Sequence, residues 1–553
     1  MSVALRAFVS LIVFGIAVGA AWAGSEKKLI QIGWDIPSTS YLRQHWQKMD
    51  KGTPFNGVIF KVEGAGWSSE AVWDRQPWDR GRLISAVEDL KACHFTTLTS
   101  NFLRVNATPG DLDWFDDAGW AALSEKVGLL AWVAKEGRAA GLCLDFESYG
   151  KRQFQYQPTP AHSFLETRDA ARRRGAQVMR CLAREYPDAT LLAFWLDSVA
   201  LPAGEATDPL AMLPADGYGL LPAFIDGLLD AAPPRMTLVD GCENAYLFDS
   251  ETEYLRAYQR ISGREGPAAR LVSPENRAKY RRQVQVGFGF YLDAYINPET
   301  SQWHIDMHGQ PRLSRLARNL ALARRIADEY VWVYGEQYRW WPDAAGSVGK
   351  RWDDALPGLT QTIAFVQDPT EAARREVEAR RQAGSLQNLL TNPGFDGSPG
   401  AQGLPEGWTS WQDDASHGTF TFDPAVGLGR QGSAKAEGVA AGCYVQRVRV
   451  QPGQRFLVES DVLPQGTTSY HIMVRWQDPE SKWTSVDRDV TIAFGPAGQG
   501  GWRHATGAVE VPEGAGYLVL LLGVGAQASA QDACWFDNAG VYISQSTPVA
   551  GGQ

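Results

Sequence analysis

The sequence predicts an α/β protein, a (β/α)8 TIM barrel, followed by an all-β sandwich, and three observations lead to this prediction. From residue 28 to about residue 338, short apolar runs alternate with longer segments of helical periodicity, which is typical of parallel strands covered by helices. Eight such units are present, and acidic residues follow most of the strands. From residue 388 onwards, short alternating runs rich in Gly, Val and Thr indicate a sandwich.

Each predicted barrel strand is a short apolar run that ends at or near a polar residue. The eight strands are predicted over residues 28–35, 55–62, 97–106, 141–147, 190–197, 236–243, 284–293 and 330–337. Helical patterns lie between them, for example over residues 117–138, 162–186, 218–231 and 311–328. A doubly wound sheet is the alternative, but it is disfavoured because no Gly-rich phosphate loop follows an early strand.

The predicted domain limits follow from the two ends of the chain and from the segment after the barrel. Arg6, an almost unbroken apolar run over residues 7–20 and Ala-Trp-Ala at residues 21–23 indicate a signal peptide over residues 1–23. We therefore expect a secreted or periplasmic protein with no membrane span after cleavage. A barrel, a charged helical linker, the sandwich and a disordered tail are predicted over residues 24–368, 369–387, 388–545 and 546–553.

Charge and aromatic content narrow the class of partner. The formal net charge of -10 argues against nucleic acid, because phosphate binding needs concentrated Lys and Arg. The chain has 21 Trp, and many of them stand beside polar residues, as Trp34 does beside Asp35. An indole face with polar neighbours suits a sugar ring, so the composition favours a carbohydrate partner.

The six cysteines point away from metal chemistry. No C-x-x-C pair occurs, which excludes the common zinc and thioredoxin-type motifs. Cys443 and Cys534 both lie in the predicted sandwich, and export would permit a disulfide between them.

The run GLCLDFESYG at residues 141–150 carries the strongest catalytic signal. Asp145 and Glu147 are two residues apart at the end of a predicted strand, so both point to the same face. Like charges held close together raise one pKa, which lets one carboxyl stay protonated as a general acid. Glycoside hydrolysis needs such a pair of carboxyl groups. We therefore predict Glu147 as the acid/base, with Asp145 in support.

Three other carboxylates compete as the second catalytic group. Glu336 lies at the end of the last predicted strand, next to an aromatic stretch. Asp240 and Glu243 follow the sixth strand and also reach the expected mouth. The sequence does not choose between them.

Further polar and aromatic residues at the predicted strand ends are expected to bind substrate, although some of the acidic ones would serve as helix caps. They are Trp34, Asp35, Asn106, Tyr149, Trp195, Asp197, Asp293, Tyr338, Trp340 and Trp341.

Residues 28–366 resemble a glycoside-hydrolase-type (β/α)8 barrel, without pointing to one family. The run GLCLDFESYG is similar to the D-x-E strand end of chitinase-type hydrolases. Ala140 and Cys143 stand where the longer motif of those enzymes has acids, which argues against substrate-assisted chitin cleavage. The resemblance implies no cofactor for catalysis.

Residues 388–545 resemble carbohydrate-binding modules of the jelly-roll type, through NLLTNPGFDG at residues 388–397 and the final strand CWFDNAGVYI. The resemblance implies a structural calcium held by Asp396 and Asp537. It also implies sugar-stacking residues, for which the candidates are Trp411, Tyr470, Trp476 and Trp483.

Together these features predict an exported glycoside hydrolase that acts on a polysaccharide or oligosaccharide. The first alternative is a non-catalytic glycan-binding or cell-surface protein with a degenerate barrel. The second is a polysaccharide lyase, in which Tyr149 or Lys61 would act as the base. The sequence predicts neither the sugar nor the oligomeric state.

Overall fold

The computed structural model describes residues 27–341, 350–397 and 399–545. The predicted signal peptide over residues 1–23 and the predicted tail over residues 546–553 lie outside the described residues. The chain divides into two compact units, with the boundary between Ile363 and Ala364. Within the described part of the chain, no helix is both long and apolar enough to cross a membrane.

The first unit contains a parallel barrel, as predicted, and each predicted strand contains an observed one. Its strands are β1 (Lys28–Gly33), β2 (Gly57–Phe60), β3 (Phe102–Asn106), β4 (Gly141–Asp145), β5 (Thr190–Ala193), β6 (Thr237–Asp240), β7 (Val284–Val286), β8 (Phe288–Tyr291) and β9 (Tyr330–Gly335). Neighbours in the sheet follow the order β8-β9-β1-β2-β3-β4-β5-β6-β7. Because β7 and β8 are the two halves of one strand around Gly287, this order closes the barrel.

The barrel strands are buried on both faces, which explains their nearly continuous apolar sequences. All residues of β2 and of β4 are buried. Gly141, at the start of β4, has no room for a side chain, because a Cβ there would lie 1.8 Å from the carbonyl oxygen of Thr190. This close approach lets β4 and β5 pair in parallel from Gly141 and Thr190 onwards.

Helices follow the strands along the chain. They are α1 (Thr39–Asp50), α2 (Ile84–Lys91), α3 (Asp117–Glu136), α4 (Phe164–Glu185), α5 (Leu201–Glu205), α6 (Pro209–Met212), α7 (Leu221–Ala231), α8 (Glu251–Ser262), α9 (Pro267–Leu271), α10 (Arg277–Gln283), α11 (Arg312–Ile326), α12 (Trp352–Ala355), α13 (Leu359–Gln367) and α14 (Pro369–Gln382). Ser163 and Ser250 begin α4 and α8 with capping boxes, in which the serine side chain accepts from a backbone N–H three residues on.

The second unit is a sandwich of two five-stranded antiparallel sheets. Its strands are β10 (Thr409–Gln412), β11 (Thr419–Asp423), β12 (Ser433–Glu437), β13 (Ala441–Arg449), β14 (Arg455–Gln465), β15 (Ser469–Gln477), β16 (Val490–Ile492), β17 (Arg503–Glu510), β18 (Tyr517–Gly525) and β19 (Ala533–Ile543). The first sheet has the order β10-β13-β18-β15-β16, and the second has the order β11-β12-β19-β14-β17.

The core of the sandwich lies between the sheets, and α14 packs on the outer face of the second one. Tyr444 and Phe536 belong to the inner core. Ala373 and Val377 of α14 pack against Leu457 and Tyr542. The helix therefore covers apolar side chains that point out of the second sheet, within a segment that the sequence indicated only as a linker.

The disulfide prediction is wrong, because Cys443 and Cys534 are both free thiols. Successive side chains of a strand point to opposite faces, and Tyr444 points into the core, so the neighbouring Cys443 points out of the first sheet. Cys534 belongs to the core and lies on the second sheet. Sequence cannot show this, because it does not reveal which face each strand buries.

Candidate functional site at the barrel mouth

A cavity of about 400 Å³ opens beside the residues that follow β4. Its lining includes Phe146, Glu147, Arg152, Phe154 and Tyr218. The cavity therefore lies at the carboxyl end of the parallel strands, where barrel enzymes place their active sites.

Asp145, the last residue of β4, is a buried and fully engaged carboxylate. Arg104 of β3 donates to it through Nε at 3.1 Å and also through Nη2. The other Asp145 oxygen accepts the backbone N–H of Glu147 at 3.0 Å. Arg104 also contacts Glu70 at 2.8 Å, which extends the charged network across the strand ends. Asp145 therefore positions Glu147 and has no free oxygen for substrate.

Glu147 is half-buried and faces the cavity. Tyr149 donates its hydroxyl to Oε2 of Glu147 at 2.9 Å, and Asn106 donates to the backbone carbonyl of Glu147 at 2.7 Å. Burial raises the pKa of Glu147 above its ordinary value, and the negative charge of Asp145 adds to the rise. The hydrogen bond from Tyr149 and the positive charge of Arg104 oppose it.

Glu243 is the second carboxyl group of this mouth. It opens the short 3-10 turn Glu243–Leu247 after β6, directly after Cys242, whose φ of 40° lies in the left-handed region. Burial raises the pKa of Glu243 to about 8, and the negative charges of Glu147 and Asp145 contribute to the rise. Because β4, β5 and β6 pair in parallel, Glu147 and Glu243, which follow β4 and β6, lie at the same end of the barrel.

Tyr218 lines the cavity together with Glu147. Burial raises the pKa of its hydroxyl, and so do the charges of Glu147, Asp145 and Glu243. Trp195, one of the predicted substrate-binding residues, is buried with its ring 5.5 Å from the ring of Tyr218 in an edge-on contact. The mouth thus combines acidic groups with an aromatic hydroxyl.

Asp240 does not belong to this pair, which corrects its predicted catalytic role. It is fully buried and accepts from the backbone N–H of Ser198 at 2.9 Å, the hydroxyl of Ser198 at 2.5 Å and the backbone N–H of Cys242 at 3.1 Å. Its hydrogen bonds tie the loop after β5 to the loop after β6, so its role in the structure is to hold these loops.

Glu336 lies on another side of the mouth, next to three tyrosines. Burial raises the pKa of the hydroxyls of Tyr246, Tyr291 and Tyr334, and the negative charge of Glu336 is among the charges that add to each rise. Tyr246 also hydrogen-bonds to Glu243. A row of tyrosine hydroxyls therefore connects the surroundings of Glu336 with those of Glu243.

These tyrosines form an aromatic platform that sequence analysis missed. The ring centroids of Tyr246 and Tyr291 are 5.0 Å apart, those of Tyr291 and Tyr334 are 5.7 Å apart, and the planes are tilted by 26° and 24°. Trp303, which is 45% exposed, meets Tyr246 and Tyr291 edge-on. Trp34 is 71% exposed and donates to the hydroxyl of Tyr334 at 3.0 Å. Tyr291 and Tyr334 lie at or near the ends of strands, and this position is the sequence signal that could have identified the platform.

Two predicted substrate-binding acids instead hold the loop after β9. Asp35 is buried and accepts the backbone N–H groups of Trp340 at 2.8 Å and Trp341 at 3.1 Å. Asp293 is also buried and accepts the backbone N–H groups of Glu336 at 2.8 Å and Gln337 at 3.1 Å. Both carboxylates act as loop caps, a role that the sequence analysis allowed for some of these acids.

Asp197 is a third buried acid, and it differs from the other two. It is fully buried, and neither of its oxygens has a hydrogen-bond partner among the described residues. Burial raises its pKa well above the ordinary value, and the charges of Asp240 and Asp226 add to the rise. Asp197 therefore favours the neutral form and does not face the cavity beside Glu147.

Trp340 and Trp341 are part of the packed interior, which corrects their predicted role as a substrate wall. Trp341 is buried and donates to the side chain of Gln31 at 2.9 Å. Trp340 packs edge-on against Phe55 at 4.8 Å. Tyr338 is half-buried and packs edge-on against Trp352. Neither tryptophan offers a free ring face to a sugar.

The outer face of the first sheet in the sandwich carries two of the four predicted stacking residues. Trp411 pairs with Cys443 across β10 and β13, so it shares the outward face of that cysteine. Trp483 is 38% exposed, and the guanidinium of Arg475 lies 4.5 Å from its ring. In contrast, Trp476 is buried in the core, and Tyr470 packs against the core.

The two predicted calcium ligands, Asp396 and Asp537, both interact with other groups of the chain, and the positive charge of Arg430 acts on both. Asp396 forms an ion pair with Arg430 at 2.9 Å. Asp537 is fully buried and accepts the backbone N–H groups of Leu428 and Asn538, both at 2.7 Å. Within the described ranges, no group of three or more His, Cys, Asp or Glu residues is placed to hold a metal. Calcium also binds backbone carbonyl oxygens, amide oxygens and water, so the structural calcium stays a prediction.

No family model matches the chain, and no curated protein matches it. Among solved structures, the enzymatically active domain of bacteriophage CBA120 tailspike protein 4 is 18% identical, with a TM-score of 0.22, over 28% of this chain and 21% of that chain. The CBM22-1 and GH10 modules of Clostridium thermocellum xylanase 10B are 14% identical, with a TM-score of 0.21, over 29% of this chain and 28% of that chain.

The CBM22-1 xylan-binding domain of Paenibacillus barcinonensis Xyn10C is 12% identical, with a TM-score of 0.20, over 27% of this chain and 91% of that chain. The chain thus spans less than a third of the length of the tailspike and xylanase structures that it matches. Similarities at this level do not assign a function to the chain.

Proposed function

We propose that the barrel is a glycoside hydrolase whose catalytic carboxyl pair is Glu147 and Glu243. The observation that carries this proposal is the coupling of the two groups, since the charge of Glu147 helps to raise the pKa of Glu243 to about 8. Perturbed carboxyl groups that face each other in a barrel mouth are typical of acid and base catalysts. Glycoside hydrolysis is the reaction that uses such a pair directly.

The surroundings of the two groups suggest their roles. Glu147 lies near the positive charge of Arg104 and accepts a hydrogen bond from Tyr149, which favours its ionised form. Glu243 has only the hydrogen bond with Tyr246 against burial and two negative charges, which favours its protonated form. We therefore assign Glu243 as the general acid and Glu147 as the nucleophile or base, the reverse of the role predicted for Glu147.

In this mechanism, Glu243 donates its proton to the glycosidic oxygen as the bond to the anomeric carbon breaks. Glu147 either bonds to that carbon or takes a proton from an attacking water, according to the separation of the two carboxyl groups. Asp145 accepts the backbone N–H of Glu147 and thereby fixes its position, and Arg104 holds Asp145 by donating to its other oxygen. The tyrosine platform supplies hydroxyl groups beside the neighbouring sugar units, and the exposed Trp34 and Trp303 supply ring faces.

The first test is the release of reducing ends from a panel of plant, algal and microbial polysaccharides. We expect the wild-type chain to cleave one of them, and Glu147→Gln and Glu243→Gln to lower kcat by about 10²-fold or more, since each removes an acid or base catalyst. Glu265→Gln, at an exposed carboxylate in the loop after α8, is the matched control and should cleave normally.

Two results would contradict this assignment. Full activity in both glutamine variants would remove Glu147 and Glu243 from the mechanism. Binding of a polysaccharide without cleavage by the wild-type chain would favour the alternative of a non-catalytic glycan-binding protein.

We also propose that the sandwich binds the polymer on the outer face of its first sheet. Trp411 and Trp483 supply ring faces there, and Arg475 supplies a charged donor beside Trp483. Exposed aromatic side chains with polar neighbours suit sugar rings, which carry apolar C–H faces and hydroxyl edges.

A further inference from the structure

A polar cavity lies on the second sheet of the sandwich, which is not the sheet that carries Trp411. Its volume is about 400 Å³, which falls within the usual size of small-molecule sites. The side chains that carry the argument are Arg381, Arg430, Glu459, Asp461, His504 and Tyr542, all of which line it. No residue of this cavity belongs to the barrel.

The strand pattern places the polar side chains on one face. Glu459 and Asp461 alternate with the fully buried Ser460 on β14, so both point to the outer face of the sheet. Thr506 and His504 stand directly opposite them on β17. His504 contacts Asp461 through Nδ1 at 2.9 Å and Thr506 through Nε2 at 2.6 Å. The floor of the cavity is therefore a connected polar cluster.

A β-bulge shapes one side of the cavity. The pairing of β14 with β19 shifts between Glu459, which faces Gly540, and Asp461, which faces Asp537. Asn538, inside the bulge, has a φ of 47°, in the left-handed region that Asn tolerates best after Gly. Its side chain donates to Asp461 at 3.0 Å. Bulges of this kind commonly re-aim side chains beside functional sites.

Glu459 gives the cavity an acceptor without a donor. The residue is only 2% exposed. Its Oε1 accepts from Arg381 and from the hydroxyl of Tyr542, the latter at 2.6 Å. Its Oε2 is buried and has no hydrogen-bond partner in the described part of the chain, and His504 Nε2 is 3.8 Å away. Buried acceptors are nearly always satisfied, so this oxygen calls for a donor from a ligand.

The balance of charge indicates the class of ligand. Arg381 and Arg430 would repel a cationic ligand. Glu459 and Asp461 would repel an anionic ligand, so the lining favours a neutral molecule. Sugar hydroxyls both donate and accept, which matches a lining of carboxylates, guanidinium groups and amides. We propose that this cavity binds one neutral sugar residue, with a hydroxyl group donating to Oε2 of Glu459. The inference does not depend on the barrel being a hydrolase.

Calorimetric titration of the full chain with methyl glycosides of glucose, galactose, xylose and mannose tests this proposal. Glu459→Gln should lower the affinity for the glycoside that binds by about tenfold or more. Because two donors hold the other oxygen, the glutamine would turn its NH2 group toward the cavity and replace an acceptor with a donor. Arg430→Ala, at a half-exposed side chain, probes the same cavity in a variant that should fold.

Glu480→Gln is the matched control, since that carboxylate is exposed elsewhere on the sandwich, and it should bind like the wild type. Melting temperatures show whether a variant has lost its fold. If Glu459→Gln has lost it, the affinity of Arg430→Ala for the glycoside tests the proposal instead. The proposal is overturned if no methyl glycoside binds, or if binding is unchanged in both cavity variants. Binding of only glucosamine or only glucuronate that depends on Glu459 would overturn the neutral class.

Discussion

Glu243 and Glu147 are held differently, although both are carboxyl groups of the same mouth. Glu147 has a tyrosine donor and a nearby guanidinium, whereas Glu243 is more buried and has one tyrosine partner. The difference in surroundings, and not the residue type, separates their expected proton affinities. The same physical reasoning leads to a prediction for the pH dependence of cleavage.

Tyr246→Phe is expected to move the alkaline limit of activity to higher pH. The hydrogen bond from Tyr246 lowers the pKa of Glu243, so its removal raises that pKa further above about 8. Because the general acid works only when protonated, kcat/KM should persist to higher pH in the variant. The pH profile of kcat/KM on the cleaved polysaccharide provides the measurement.

Tyr258→Phe is the control for this profile, because Tyr258 donates to Asp328 at 2.8 Å and does not contact Glu243. Its alkaline limit should match that of the wild type. An unchanged or lowered alkaline limit in Tyr246→Phe would show that Glu243 is not the acid of the rate-determining step.

At the scale of elements, the crossing of α4 and α7 depends on two glycines. A Cβ at Gly175 would lie 2.0 Å from the carbonyl oxygen of Phe224, and a Cβ at Gly227 would lie 1.9 Å from the carbonyl oxygen of Arg172. The helix backbones therefore touch directly, and neither helix can carry a side chain at the contact. Gly in a helix costs about 1 kcal/mol relative to Ala, so this packing offsets a local penalty.

Gly175→Ala is expected to lower the free energy of unfolding by about 1–3 kcal/mol, because the forced separation of the helices outweighs the gain in helix propensity. Urea unfolding followed by circular dichroism measures the change. Gly217→Ala is the control, since a Cβ there has no atom of the described structure within 4 Å. Equal stability of Gly175→Ala and the wild type would mean that the helices separate without cost.

At the scale of the whole molecule, the proposed catalytic site and the proposed polymer-binding face belong to different units of the chain. The carboxyl pair and the tyrosine platform belong to the unit that ends at Ile363, and Trp411 and Trp483 belong to the unit that begins at Ala364. Such a division predicts that the second unit affects the use of a large substrate and leaves the chemical step unaltered.

Trp483→Ala in the full chain is therefore expected to weaken binding to the polymer and to slow its cleavage by severalfold, consistent with about 1 kcal/mol from one aromatic contact. Cleavage of a soluble short oligosaccharide should keep its wild-type rate. Val486→Ala, at an exposed apolar residue nearby in sequence, is the control. A slower reaction on the short substrate would contradict the proposed division of roles.

The sequence by itself determined the fold class, and it predicted the candidate catalytic acids at the ends of the barrel strands. The strands were predicted because apolar runs of the length of a parallel strand indicate burial on both faces. The helices were predicted because helical periodicity indicates one buried face. Several predicted strands extend past the observed ends, because polar residues after them, such as Glu243, lie in turns. Glu147 and Glu243 were predicted as candidates because acids at the ends of barrel strands converge at one mouth, and their catalytic role stays a proposal.

Only the tertiary structure decided which of these acids cap loops. Asp35, Asp240 and Asp293 occupy sequence positions similar to that of Glu243. However, each of them accepts hydrogen bonds from backbone N–H groups of neighbouring loops. The tyrosine platform, the outward direction of Cys443 and the cavity beside Glu459 depend on side chains from distant segments. Contacts of that kind are set by strand register and packing, which local sequence patterns do not encode.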